Sequence, residues 1–296
     1  MDSRFTKEPS GYLRVNPLPT PDSLASYYSS QYYQNPHGTY SEEYTQEELV
    51  HKEIRNLFIY RLATESFADD KNLNFLDVGC GEGFLMKTFL HAGWSTTGLD
   101  FSDFGVKKFN SELVPFIRKG NVYDSIAEFI DLGKKFDCVN LGNVLEHVLE
   151  PKKLLEDLSL LMNPNSIILI TVPNDFSTVQ EELFERGLIE KQYWVAIPDH
   201  LNYFTAPSLK ALSTEAGFEV SDIFADFPIE WFQFNRSSNY SLEPGKGRDA
   251  HVARVMIDSL ITRQQDFNAV KNFWSSLAGI GHGRVITAVC KKAQDR

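Results

Sequence analysis

The sequence predicts an α/β fold in which a seven-stranded, mostly parallel sheet carries helices on both faces, and three observations support it. Short apolar runs of strand length recur along the chain, as expected for strands that are buried on both faces. Amphipathic helical patterns separate consecutive runs, which is the alternation that builds parallel sheets. A glycine-rich turn at 79–83 joins the first run of this series to the helical pattern that follows it.

Residues 1–45 precede this alternation and are rich in proline and tyrosine. The prolines exclude a regular helix, whereas the tyrosines are too apolar for a free tail. We therefore predict an N-terminal lid that packs over another part of the protein. Thr45 and Glu48 have the spacing of a capping box, which predicts that a helix begins there. The tyrosines are Tyr27, Tyr28, Tyr32, Tyr33 and Tyr40.

Seven apolar segments have the pattern of strands. They span 75–78, 96–99, 114–117, 138–141, 167–172, 218–224 and 284–290. The third segment contains Pro115 and is the weakest of them, because proline cannot donate a ladder hydrogen bond. Amphipathic patterns predict helices around 82–92, 103–112, 151–162 and 207–216.

About sixty residues separate the last two strand segments, which is too many for a simple loop. They hold clustered aromatic side chains and an amphipathic stretch, which predict a helical insertion at 226–282. The predicted organisation is therefore a lid at 1–45, a core at 46–225, this insertion, and a final core strand with a tail at 283–296.

Composition and charge disfavour several classes of protein. Twenty-nine basic residues against forty acidic residues give a net charge of −11, which disfavours binding to a nucleic-acid backbone. The three cysteines, Cys80, Cys138 and Cys290, form no CxxC pair, as expected for reduced thiols in the cytoplasm. The longest apolar run, 167–172, is far too short to span a bilayer. We expect a cytoplasmic protein with no membrane span.

The glycine-rich turn has the form of a site for a nucleotide-like ligand. Gly79, Gly81 and Gly83 follow a buried strand and open a helix, so that a ligand can press against bare backbone and unpaired N–H groups. The spacing is G-x-G-x-G, and Phe84 occupies the position where the dinucleotide fingerprint needs its third glycine. Asp100 ends the next strand, where a carboxylate is placed to accept hydrogen bonds from both hydroxyls of a ribose.

These residues resemble a known family. LDVGCGEG at 76–83 followed by GLD at 98–100 is similar to the first motif and the second-strand acidic residue of class I S-adenosylmethionine-dependent methyltransferases. Further blocks, FDCVNLGNVLEHV at 136–148, TVPN at 171–174 and HLNYF at 200–204, follow in the expected order. The resemblance implies a Rossmann-like fold, S-adenosylmethionine as the cofactor and S-adenosylhomocysteine as the product.

The resemblance also implies the cofactor contacts, residue by residue. It places Asp77 and Gly79 near the amino-acid end of the cofactor, and Gly81 and Gly83 beneath its backbone. It assigns the ribose hydroxyls to Asp100, in agreement with the position of that residue at the end of its strand.

Four further residues are implied at the adenine and methionine ends. The resemblance places Phe101 beside the adenine, with Asn121 and Val122 in the position that commonly contacts the adenine. It places Gly142 near the methionine moiety. For Asn121 and Gly142, ordinary loop geometry is an equally simple explanation.

Glu146, His147 and His200 are the candidate catalytic residues. All three are predicted at the carboxyl edge of the sheet, where open α/β folds bind their ligands. A histidine that titrates near neutral pH suits removal of a proton from an acceptor hydroxyl, with Glu146 orienting or charging it. The alternative is that Glu146 and His147 shape the loop and cap the next helix.

A metal site is a competing interpretation. One glutamate and two histidines can bind a divalent ion, and small-RNA 2′-O-methyltransferases have a related E-x-x-E-H pattern with a later histidine. Asn143 occupies the first position of that pattern here, so one carboxylate is missing. We expect no metal.

The acceptor is predicted to be a small molecule that carries a hydroxyl group. A weaker similarity of 239–254 and 277–284 to methyltransferases of bacterial surface-polysaccharide synthesis favours a sugar or nucleotide-activated sugar, with Lys246, Arg248 and Arg254 near its phosphate. Quinones and natural products are alternative acceptors. A cofactor-binding module without catalysis and a nicotinamide oxidoreductase are further alternatives, and the sequence allows a homodimer.

Overall fold

The computed structural model describes residues 2–20, 23, 43–68 and 72–293. The strands, in chain order, are β1 (Phe5–Lys7), β2 (Leu13–Val15), β3 (Asn74–Val78), β4 (Ser95–Asp100), β5 (Ile117–Lys119), β6 (Phe136–Gly142), β7 (Met162–Pro173), β8 (Asn202–Tyr203), β9 (Phe218–Ala225) and β10 (Val285–Lys292). The α-helices are α1 (Gln46–Thr64), α2 (Phe84–His91), α3 (Phe104–Phe109), α4 (Val122–Asp131), α5 (Pro151–Leu160), α6 (Thr178–Glu185), α7 (Ala206–Glu215), α8 (Gly247–Thr262) and α9 (Phe267–Gly279).

The central sheet has seven strands in the order β5-β4-β3-β6-β7-β10-β9. The five strands from β5 to β7 are parallel, and β10 runs antiparallel between β7 and β9. The central strands are almost fully buried because helices cover both faces, which explains their continuous apolar sequences. The predicted fold class is confirmed. The strand order reverses between β3 and β6, and crevices at such points bind ligands.

Two elements differ from the prediction around the edge strand. The strand predicted at 114–117 is wrong, because Ser111–Phe116 forms a 3-10 helix that contains Pro115, and the strand begins only at Ile117. The helix predicted at 103–112 ends earlier, at Phe109. Helix α4 was not predicted, although Asn121 caps it and it has an apolar face.

The N-terminal segment forms a small second sheet. Strand β1 pairs with β2, and β2 pairs with β8, all antiparallel. Phe5, Val15 and Tyr203 are buried together in this sheet. It therefore anchors the start of the chain beside the segment that carries His200. The five tyrosines on which the lid prediction rests lie outside the described residues, and the lid stays a prediction.

Within 226–282, α8 and α9 follow a 3-10 helix at Ile229–Phe234. Helix α8 packs on α1, and α9 packs on β9. Between α1 and α8 the buried Asp258 lies 3.2 Å from Nε2 of His51 and 3.8 Å from Nη1 of Arg55. The N-terminal helix is thus joined to the C-terminal helical region. Among the described residues, no helix has both the length and the apolarity that crossing a membrane requires.

Candidate active site

The glycine turn connects β3 to α2 and has the backbone conformation that glycine permits. Gly79, Gly81 and Gly83 have φ values of 73°, 55° and 78°, in the left-handed region. A Cβ atom on Gly79 would lie 2.4 Å from Cγ2 of Val144, so the loop after β6 approaches the turn closely. A Cβ atom on Gly81 would meet only open space, since its nearest neighbour is the Gly79 carbonyl oxygen at 4.0 Å. The backbone at Gly81 is therefore accessible to a ligand.

Asp100 lies at the end of β4, directly beside this turn. Its Oδ2 accepts a hydrogen bond from the Gly81 N–H at 2.9 Å, and its Oδ1 accepts one from the Ser102 N–H at 2.9 Å. Each carboxylate oxygen retains a lone pair for a ligand hydroxyl. Burial raises the pKa of Asp100 although these backbone donors lower it. The predicted ribose-binding carboxylate is thus fixed against the glycine turn.

Asp77 has a buried partner that sequence reasoning missed. Asn140 on β6 donates a hydrogen bond from Nδ2 to Oδ1 of Asp77 at 2.7 Å. Burial raises the pKa of Asp77 to about 7, and the bond from Asn140 opposes this rise only in part. Both side chains come from adjacent parallel strands, where Asp77 and Asn140 are register partners. The sheet register therefore determines this contact, which a single strand sequence does not reveal.

The other predicted cofactor residues lie after β4, at the start of α4 and at the end of β6. Phe101 follows β4 and is 47% exposed, while Val122 is buried at the start of α4. Asn121 uses its Oδ1 to accept the Tyr123 N–H at 2.9 Å and caps α4, so its side chain has a structural use. Gly142 ends β6, and a Cβ atom there would lie 3.2 Å from Nδ2 of Asn140. A ligand role for these four residues stays a prediction.

Side-chain contacts that the sequence did not predict also join α1, and the residues just before it, to the glycine turn. The Tyr44 hydroxyl donates to both carboxylate oxygens of Glu82, at 2.7 and 2.9 Å. Nζ of Lys52 lies 3.3 Å from Oε2 of Glu82 and 4.9 Å from the ring centroid of Phe84. The end of the N-terminal segment is therefore attached to the turn that the cofactor is expected to contact.

Backbone hydrogen bonds bring the two candidate catalytic segments together. The carbonyl oxygen of Glu146 accepts the N–H groups of Leu201 and Asn202, at 2.7 and 3.0 Å. The buried Asn202 side chain donates to the carbonyl oxygens of Leu145 and Val148. These four bonds hold His200 beside His147, as the prediction of a shared sheet edge requires.

His147 faces polar groups on both ring nitrogens. Its Nδ1 lies 2.8 Å from the carbonyl oxygen of Asp199 and 3.5 Å from Oδ1 of that residue. Its Nε2 lies 3.7 Å from Oε1 of the buried Glu146. Burial lowers the pKa of His147, but the Asp199 and Glu146 carboxylates more than offset it and raise the pKa to about 9. His147 is therefore protonated at neutral pH.

His200 lies next to His147 but has a different carboxylate partner. The two imidazole rings meet edge to face with centroids 4.9 Å apart. Nδ1 of His200 is 3.6 Å from Oδ2 of Asp175, which follows the end of β7 and is 1% exposed. Nη1 of Arg284, just before β10, donates to Oδ1 of Asp175 at 2.8 Å. Asp175 and Arg284 were not predicted, because they reach the site from distant strands.

Glu146, His147 and His200 also form a group that has the spacing of metal donors. One donor atom from each lies within 4.8 Å of the other two. Oε2 of Glu146 is buried and has no hydrogen-bond partner among the described residues. The predicted absence of a metal is not tested by this geometry.

The basic residues predicted near a phosphate all pair with acidic side chains. Lys246 Nζ lies 2.9 Å from Glu243, and Arg254 Nη1 lies 3.8 Å from Asp226. Glu48 binds both Arg248 and His251 at 2.8 Å, and its pKa falls to about 2 because these and the Thr45 donors outweigh its burial. A phosphate would have to compete with these carboxylates.

Comparison with known proteins identifies a family and several relatives. Residues 47–223, more than half of the chain, match a family described as a methyltransferase domain. A mitochondrial ubiquinone biosynthesis O-methyltransferase from Arabidopsis thaliana is 33% identical over 107 residues, which cover 35% of this chain and 33% of that protein. A ubiquinone biosynthesis O-methyltransferase from Rickettsia canadensis is 27% identical over 176 residues, which cover 57% of this chain and 72% of that protein. The chain thus spans only about a third of the length of the Arabidopsis relative.

A solved structure has a similar fold. A chain from the Haloferax volcanii complex of a methyltransferase with its activator Trm112 is 14% identical to this chain. The similarity covers 84% of this chain and 94% of that chain, with a TM-score of 0.50. The predicted cofactor residues and the three candidate catalytic residues all lie within the matched range 47–223, whereas Arg284 lies beyond it.

Proposed function

The chain belongs to the class I S-adenosylmethionine-dependent methyltransferases, and on that basis we propose that it transfers a methyl group to a hydroxyl group of a small molecule. The observation that carries this proposal is the pair of histidines at the carboxyl edge of the sheet, beside the buried Glu146. A hydroxyl oxygen is a weak nucleophile until its proton is removed, so a nearby base favours O-methylation.

The residues at this edge of the sheet have two proposed roles, cofactor binding and proton transfer. When bound, S-adenosylmethionine supplies a methyl group on a positively charged sulfur. Asp100 and the backbone at Gly81 would orient the cofactor, while the imidazole of His200 would accept the hydroxyl proton. His147, protonated at neutral pH, would hold the carboxylate of Glu146 in place.

An aromatic or quinol hydroxyl is the acceptor that the relatives favour. The Arabidopsis and Rickettsia proteins are both named ubiquinone biosynthesis O-methyltransferases. That name describes those proteins, and we extend to this chain only the class of acceptor, a hydroxylated ring. A phenolic hydroxyl also needs less help from a base than an alcohol, because its ordinary pKa is near that of tyrosine, about 10.

A sugar remains a second candidate because of one cavity. A cavity of about 340 Å³ is lined by Tyr193 and Tyr240 together with Glu190, Lys191 and Ser241. Aromatic faces with polar groups beside them suit a hydroxylated ring. The Tyr193 hydroxyl donates to Gln233 at 2.9 Å, so this wall of the cavity is fixed.

Two measurements test the proposal in order. Calorimetric titration with S-adenosylmethionine, with NAD as the control ligand, should give binding in the micromolar range for the first ligand alone. Production of S-adenosylhomocysteine is then followed with catechols and reduced quinone analogues in one panel and nucleotide sugars in another. Turnover in the first panel supports the preferred acceptor, and turnover in the second supports the sugar. Cofactor binding with methylation of amines alone would contradict O-methylation.

A further inference from the structure

The side chain of His200 has one buried ring nitrogen that lacks a close hydrogen-bond partner. Nδ1 of His200 is buried and makes no hydrogen bond within the described part of the chain. The nearest acidic atom is Oδ2 of Asp175, at 3.6 Å. Buried polar atoms are rarely left unpaired, and hydrogen bonds in empty active sites are often long and shorten when substrate binds. A small movement of the ring would complete this contact.

Hydrogen bonds to its backbone and to its side chain hold Asp175 beside His200. Its backbone N–H donates to the Phe204 carbonyl oxygen at 3.0 Å. Its Oδ1 accepts from Nη1 of Arg284 at 2.8 Å, and Nε of Arg284 lies 3.8 Å from the buried Glu230. One carboxylate oxygen is therefore bound to a cation, and the other faces His200. Oδ2 of Asp175 is therefore placed to accept a hydrogen bond from an N–H group at Nδ1 of His200.

The groups around His200 give its two nitrogens different roles. Asp175 faces Nδ1 from the end of β7, and His147 presents its ring from the loop after β6. The Tyr203 ring lies 6.1 Å from the His200 ring within the same segment. Because His147 is protonated at neutral pH, it is unsuited to accept a proton.

We propose that Asp175, held by Arg284, is a positioning residue that keeps the Nδ1–H tautomer of His200, so that Nε2 is the atom that accepts the proton of the acceptor hydroxyl. This inference rests on the proposed O-methylation. As the acceptor oxygen forms its bond to the methyl carbon, the carbon–sulfur bond breaks and its electron pair stays on sulfur. The hydroxyl proton passes to Nε2, and the imidazolium that results lies beside the side chain of Asp175 until solvent removes the proton.

A double-mutant cycle tests whether Asp175 acts through His200. We expect Asp175→Asn to lower kcat at least roughly 100-fold, as removal of an orienting carboxylate does in other enzymes, while the Kd for S-adenosylmethionine changes less than about twofold. We expect the double variant Asp175→Asn/His200→Gln to lose no more activity than His200→Gln alone. If the fold-losses in kcat of the two single variants multiply in the double variant, the proposal is overturned. Asp131→Asn, an exposed acidic residue at the end of α4, is the matched control.

A spectroscopic measurement separates this inference from the proposed function. The side-chain ¹⁵N resonances of His200, assigned with His200→Gln, should show a protonated Nδ1 in the wild type and a mixture of tautomers in Asp175→Asn. An Nε2–H tautomer in the wild type would overturn the inference, whether or not an acceptor is turned over. If the wild-type protein does not bind S-adenosylmethionine, that result instead contradicts the proposed function. If Asp175→Asn is too unstable to assay, the variant Asp175→Asn/Arg284→Gln, which removes both charges of the ion pair, takes its place. The same loss of kcat is expected for it.

Discussion

The imidazole rings of His147 and His200 lie edge to face, 4.9 Å apart, and each ring has its own carboxylate. Asp199 contacts Nδ1 of His147, and Asp175 faces Nδ1 of His200. The carboxylates of Asp199 and Glu146 raise the pKa of His147 to about 9, whereas Asp175 faces His200 from the end of a different strand. This asymmetry is the physical basis for giving the two residues different roles.

The charge on His147 predicts a dependence of stability on pH. A histidine whose folded-state pKa rises from 6.5 to about 9 stabilises the protein fully below pH 6.5 and loses that contribution as pH rises to 9. The difference in free energy of unfolding between wild type and His147→Gln should therefore shrink by on the order of 3 kcal/mol between pH 6.5 and 9. Urea unfolding at several pH values measures it. His91→Gln, at the end of α2, is the control, and a difference that does not vary with pH would contradict the prediction.

The space beside Gly81 predicts a selective loss of cofactor binding. Gly81 and Gly133 both have positive φ, at 55° and 65°, and a Cβ atom on either would contact no side chain within 4 Å. Alanine at either position should therefore lower the free energy of unfolding by a similar amount, about 1–2 kcal/mol, because of backbone strain. Only Gly81→Ala should weaken the affinity for S-adenosylmethionine, by tenfold or more, because its methyl group would occupy the ligand's space. Thermal unfolding and calorimetry measure the two effects. Equal affinities in the two variants would place the cofactor elsewhere.

Asp100 should bind the ribose hydroxyls with its carboxylate oxygens. The Asp100→Asn change replaces one acceptor oxygen by a donor that would also face the Gly81 or Ser102 N–H groups. Loss of a charged hydrogen-bond partner is worth about 1.5–3 kcal/mol, so the Kd for S-adenosylmethionine should rise roughly 10- to 100-fold. Calorimetric titration against Asp131→Asn provides the comparison. An unchanged Kd would show that another group binds the ribose.

Sequence reasoning predicted local structure correctly where a short segment determines its own conformation, although the ligand contacts of these residues stay predictions. The glycine turn, Asp100 and the capping box at Thr45 depend on residues a few positions apart, so pattern and spacing predict them. Asp175 and Arg284 could not be found in this way. They meet only because β10 inserts antiparallel beside β7, which joins segments that are far apart in the chain. The edge strand β5 is short and mostly exposed, so it lacks the apolar signal that defines the central strands.

We predict that turnover requires no added divalent metal. Glu146, His147 and His200 lie close together, but Asn143 stands where a related metal-binding pattern has a further carboxylate. Activity should persist after dialysis against a chelator, and metal analysis of the purified protein should find less than stoichiometric amounts. Loss of activity that a divalent ion restores would contradict this prediction and would make the three side chains candidate ligands. The chelator must be removed before divalent ions are added back, so that it does not sequester them.

The buried carboxyl of Asp77 predicts a conflict between stability and cofactor binding. Burial raises its pKa from 3.8 to about 7, so the folded state holds its proton more tightly than the unfolded chain does. The free energy of unfolding therefore falls as pH rises from about 4 to 7, and above pH 7 the ionised carboxyl destabilises the protein to the full extent. Asp77→Asn cannot ionise and can still accept the bond from Asn140. It should be more stable than the wild type by up to about 4 kcal/mol at pH 7.5 and no more stable at pH 4.

The same substitution should weaken the binding of S-adenosylmethionine, whose amino-acid end carries an ammonium group. A cation placed near Asp77 favours the ionised carboxylate, so binding near pH 6.5 should release a proton from the wild type and not from Asp77→Asn. Calorimetry in two buffers with different ionisation enthalpies measures this proton release. If both proteins release the same number of protons, the ammonium group does not lie near Asp77. The raised pKa would then reflect burial in the sheet alone, because adjacent strands enclose the carboxyl away from water.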